Sequence, residues 1–179
     1  MKLFTICTAA LFSAAALTLI AADQEKHAGH GGAKSPAFEK LKALSGEWTV
    51  SGGDEHGGPG GSVSYRVTAG GSAVLETLFA GTEHEMVTLY YMDGDHLTMT
   101  HYCMLGNRPL MRAEKSSGPN KLVFKCQDGE NRKIEEEDHM HQATFNFIDA
   151  DHLKTEWVLY KGGKADSTHA FELTRKKKA

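Results

Sequence analysis

The sequence predicts an all-β domain, a single antiparallel barrel of about eight to ten strands with a short helix at its N-terminal end. Three observations predict it. From Glu47 onward, apolar residues recur at every second position, the period of a strand with one buried face. Turn chemistry interrupts these runs about every ten residues, a spacing that builds hairpins and leaves no room for crossover helices. One short apolar stretch of helical period stands immediately before the first strand. A sheet of this many strands loses its exposed edges by closing on itself, and a two-sheet sandwich is the competing architecture.

Along the chain, Met1-Lys2 supplies one positive charge, Leu3 to Ala22 carries none, and Asp23-Gln24-Glu25-Lys26 ends the apolar run. This pattern predicts a signal peptide over 1–22 with a cut after Ala22. The alternative is a retained membrane anchor, since the run is long enough to cross a bilayer. Residues 23–35 have no apolar period and form a flexible linker, in which His27 and His30 could touch a metal. The barrel domain is predicted over 36–176. It opens with a helix from Pro36 to Leu44, capped by Ser35, with Pro36 at its first position. Phe38, Leu41 and Leu44 form its apolar face, and Gly46 ends it.

Strands follow in order. A glycine-rich loop covers Gly52-Gly53 and Gly57 to Gly61, without the lysine and helix of a phosphate loop. Val63, Tyr65 and Val67 alternate with polar residues, as do Leu97, Met99, His101 and Cys103. The same holds for Leu122, Phe124 and Cys126, for Ala143, Phe145 and Phe147, for Leu153, Thr155, Trp157 and Leu159, and for Phe171 and Leu173. Between the runs stand Ala69-Gly70-Gly71-Ser72, Met92-Asp93-Gly94-Asp95, Gly118-Pro119-Asn120, Asp149-Ala150-Asp151 and Lys161-Gly162-Gly163-Lys164.

Bulk composition narrows the function. A chain of 179 residues with 40% hydrophobic and 24% charged residues is an ordinary globular domain that needs no staple. Its formal net charge of −3 and the lack of a basic stripe exclude a nucleic-acid partner. The terminal Arg175-Lys176-Lys177-Lys178 run reads as a solvated tail. Export would place the domain in the periplasm or outside the cell, with no membrane contact once the signal is cut. Cys7 would leave with the signal, and Cys103 and Cys126 would remain, either as a disulfide or as two buried thiols.

The alternation puts His101, Cys103, Cys126, His139, His141 and His169 on the same side as Leu, Met and Phe, inside the barrel. One reading is a polar network satisfied within a filled core. A second is a pocket for a small, largely apolar ligand, lined by Tyr65, Met99, His101, Phe124, His141, Phe145, Trp157 and Phe171. A third is a haem or transition-metal site such as zinc, held by His101, His139 and His141. An exterior apolar patch serving as a non-catalytic protein-interaction module is a further alternative. His56, His84 and His96 fall on loops and need no role. Enzymatic readings are weak. There is no Gly-x-Ser-x-Gly elbow, and nothing orients His101 as a base for Cys103. Glu135-Glu136-Glu137-Asp138 is a charge run, and Asn107-Arg108-Pro109 is hairpin chemistry.

Leu44-Ser45-Gly46-Glu47-Trp48 resembles the Gly-x-Trp signature that opens lipocalins and fatty-acid-binding proteins, where a short helix precedes the first strand. Met86 to Tyr91, Thr100-His101-Tyr102-Cys103 and Gly106 to Arg112 are similar to a family of secreted bacterial lipocalin-like domains of unknown function. The resemblance implies a calycin-type barrel with a ligand in its lumen. It also implies structural roles for Trp48 and Arg175, the guanidinium lying over the indole to close the barrel floor. It implies no catalytic residue.

Overall fold

The computed structural model describes residues 35–53, 60–115, 118–127 and 137–177. The predicted signal peptide, nearly all of the linker, most of the glycine-rich loop, and Glu135 and Glu136 lie outside the described residues.

Helix α1 spans Pro36–Ala43, and the Ser35 hydroxyl accepts from the Phe38 amide. Phe38, Leu41 and Leu44 are buried on its inner face, as their spacing predicts. Ten strands follow: β1 Gly46–Gly53, β2 Ser62–Thr68, β3 Ala73–Leu78, β4 Met86–Asp93, β5 His96–Tyr102, β6 Leu110–Ala113, β7 Lys121–Cys126, β8 His139–Phe147, β9 His152–Lys161 and β10 Lys164–Arg175. Each pairs antiparallel with its neighbour in sequence, and β10 pairs with β1. The sheet is therefore one closed barrel of the lipocalin and fatty-acid-binding-protein kind, not a sandwich. Between β9 and β10, Gly162 and Gly163 both take positive φ (54° and 73°), as the tight two-residue turn requires.

Period-two alternation decides which side chains enter the lumen. Tyr65, Val74, Glu76, Thr88, Tyr90, Met99, Met111, Phe124, Ala143, Phe145 and Thr155 are all buried within it. Tyr90, Phe124 and Phe145 pack with ring centroids 5.8–5.9 Å apart. At roughly 1.5–3 kcal/mol per fully buried large apolar side chain, this middle layer is a main source of stability.

One end of the barrel is shut. Trp48 pairs in register with Arg175, and the guanidinium carbon lies 4.3 Å from the indole centroid. The Trp48 Nε1–H donates to the Leu44 carbonyl at 2.8 Å. Arg175 donates to the carbonyls of Ala43, Ser45 and Ala150 at 2.8–2.9 Å. Those carbonyls belong to the end of α1, the turn after it and the β8–β9 turn, so one side chain ties three segments into a floor.

One expectation from spacing fails here. Spacing alone places His139 and His141 inside with Phe145 and Phe147. However, the β8–β9 register shifts between Met140 and Gln142, a β-bulge that inserts one extra residue. Below the bulge Phe145 and Ala143 face the lumen. Beyond it His139 pairs with Tyr160, and the His141 ring stacks on Tyr160 at 3.8 Å and 13°. Leu159 and Lys161, either side of Tyr160, line the lumen, so Tyr160 and both imidazoles face outward.

Candidate functional site

A chain of polar contacts runs through the middle of the lumen. Period two places Glu76 on β3 between Val74 and Leu78, among apolar neighbours. The Tyr65 and Tyr90 hydroxyls donate to its two carboxylate oxygens, each at 2.6 Å. Burial raises the Glu76 carboxyl, and hydrogen bonds from Tyr65, Tyr90 and Thr88 partly offset this. The same burial, followed by the Glu76 charge, pushes both phenols well above their usual range.

Thr88 links this group to His101. Its hydroxyl lies 2.9 Å from His101 Nδ1. With the Thr88 hydroxyl as a donor to Glu76, whose carboxyl it helps hold down, Nδ1–H donates to Thr88 and Nε2 is the acceptor. Burial pushes the imidazole down to about 4, so it is neutral at ordinary pH. Its ring packs on Trp157 with centroids 4.6 Å apart. On these two rings, His101 Nε2 and Trp157 Nε1 are buried polar atoms with no hydrogen-bond partner among the described residues. Buried polar atoms are usually paired, and an unpaired one costs about 1–3 kcal/mol.

Both residues line a cavity of about 450 Å³ at the end of the barrel opposite Trp48. That volume lies within the range of small-molecule pockets. Leu78, Phe79, Met86, Met140, Leu159 and Phe171 make its apolar walls, and Cys103, Ser167 and His169 add polar groups. Met104 and Leu105, both about half exposed, form a lip where the cavity meets solvent. His84, Asp138 and Lys161 complete the lining. Burial raises the Cys103 thiol, which opposes nucleophilic chemistry.

Of the eight residues expected to line one pocket, His101, Trp157 and Phe171 do so. Tyr65, Met99, Phe124 and Phe145 are in the lumen, but they fill its middle and are not part of the cavity wall. His141 is outside. The expected metal set of His101, His139 and His141 is corrected for the same reason: the bulge places two of the three on the outer wall, with His101 on the inner one. Cys103 and Cys126 carry thiols and are not bridged. The first lies on the cavity wall past the end of β5, the second at the end of β7 beside His139 and His141. His84, expected to need no role, reaches the lining.

Met104 and Leu105 were missed because they lie in a loop with no periodicity. Their signal was an apolar pair just before Gly106.

No family model matches this sequence, and no curated protein matches it.

Proposed function

We propose that this barrel binds a small, largely apolar molecule carrying one neutral hydroxyl, held at the open end of the lumen. The observation that carries this reading is that His101 Nε2 and Trp157 Nε1 are orphaned polar atoms on two stacked residues that line a mostly apolar cavity. A hydroxyl both donates and accepts, so one group can serve both: its proton goes to Nε2, and its oxygen accepts from the indole N–H. An ionised carboxylate fits poorly there, because the imidazole beside it is neutral and offers no charge. The exposed Met104 and Leu105 would shield the apolar tail at the mouth. The resemblance to secreted lipocalin-like domains supports the same reading. The uncharged run ending at Asp23 supports an exported protein with 1–22 as its signal peptide.

The test uses calorimetric titration with octan-1-ol, its methyl ether and octanoate. The alcohol should bind about tenfold more tightly than the ether, which cannot donate to Nε2, and more tightly than the acid. Trp157→Phe should remove much of the preference for the alcohol. Equal affinity for alcohol and ether, or binding of none of the three, would overturn the proposal.

A further inference from the structure

Away from the cavity lining, a second set of groups converges where β7 ends and β8 begins. His139 opens β8, His141 occupies the bulge, and Cys126 ends β7. The two imidazoles meet edge to edge, His139 Nε2 lying 3.1 Å from His141 Nδ1. With the Cys126 sulfur, these ligand atoms all lie within 4.8 Å of one another. His139 is buried, and the other two are partly exposed, so an ion could reach them from solvent.

The orientation of each ring is already set. His139 Nδ1 lies 2.9 Å from the Glu137 carbonyl, which can only accept. The proton therefore sits on Nδ1, and the Nε2 lone pair points into the cluster. Metal-bound histidines are held in this way, by an outer partner that fixes the tautomer. The second ring is held flat against Tyr160. Two Zn–N bonds of about 2.0–2.1 Å at a tetrahedral angle place the nitrogens about 3.3–3.4 Å apart. The 3.1 Å separation is within a few tenths of an ångström of that value. An imidazole pair held only by its own hydrogen bond needs no thiol within reach.

We propose that Cys126, His139 and His141 form a site for a zinc-class divalent ion. His139 binds through Nε2, His141 through Nδ1 and Cys126 as the thiolate. Imidazole and thiolate without a carboxylate select this class over magnesium or calcium. Three protein ligands leave a fourth position for water or another donor. Binding releases the thiol proton to solvent and moves the His141 proton from Nδ1 to Nε2. Neither the cavity nor its ligand takes part, so this site and the pocket stand or fall separately.

The test uses the full-length chain stripped with a chelator, then titrated with zinc by calorimetry and with cobalt(II) by absorbance. One equivalent should bind, and cobalt should give a thiolate charge-transfer band. Cys126→Ser should abolish that band and weaken zinc binding about tenfold or more. A Cys103→Ser variant and a double His27→Ala, His30→Ala variant should keep the band. On the unaltered chain, zinc should slow alkylation of Cys126, as mapped by mass, which guards against a variant that does not fold. A band that survives Cys126→Ser, a band lost only with His27 and His30, or no protection of Cys126 would each overturn the site.

Discussion

The two tryptophans of this barrel sit at opposite ends in opposite states. Trp48, at the floor, donates its indole N–H to the Leu44 carbonyl and carries the Arg175 guanidinium on its face. Trp157, at the mouth, is just as buried, and its N–H has no partner among the described residues. The same residue type thus contributes stability at one end and leaves an unmet hydrogen bond at the other. A native fold keeps such an unmet bond at a cost, and the open end is where a partner can arrive from solvent.

The sharpest way to break the comparison is to truncate both. Trp48→Ala should cost about 4 kcal/mol in chemical denaturation, from the cavity it leaves and the lost N–H bond. Trp157→Phe should change stability by less than about 1 kcal/mol, because it removes a ring edge together with an unpaired polar atom. A Trp157→Phe cost as large as that of Trp48→Ala would mean that both ends are structural.

The next effect separates the ends by pH. His101 titrates at about 4 in the folded barrel and at about 6.5 unfolded, so the unfolded chain takes up the proton first. The stability tied to neutral His101 is present in full above pH 6.5 and is lost as pH falls towards 4. The loss is about 3 kcal/mol. Glu76, raised by burial, acts in the opposite sense, so the His101 effect is measured as the difference between wild type and His101→Gln across that window. Parallel pH profiles for the two proteins would refute it.

A smaller effect tests the floor. Arg175→Lys keeps the charge but loses the planar fork that reaches the Ala43, Ser45 and Ala150 carbonyls. It should cost about 1–2 kcal/mol in the same unfolding assay and leave alcohol binding at the mouth unchanged.

The floor was legible in the sequence and the mouth was not, and the reason is physical. Strand alternation, turn glycines and the Ser35-Pro36 start depend on local chemistry, so they appear in the chain as written. Trp48 and Arg175 were legible through the Gly-x-Trp resemblance. The bulge between Met140 and Gln142 leaves no mark in the hydrophobic pattern. His139, His141 and Phe145 keep their even spacing while the backbone turns two of them outward. Nor does alternation say where a lumen is filled. Tyr65, Phe124 and Phe145 are as apolar as the residues that line the cavity, and only their packing about Tyr90 and Glu76 shows that they occupy the middle.

Because β1 and β10 are bonded to each other, the two ends of the folded domain leave from the same place. Ser35 leads into the helix tied down by Arg175, and Arg175 itself closes the last strand. Anything fused or tethered to either terminus therefore grips the molecule by its base. The rim formed by Met104 and Leu105 then points away from the point of attachment, open to whatever diffuses past.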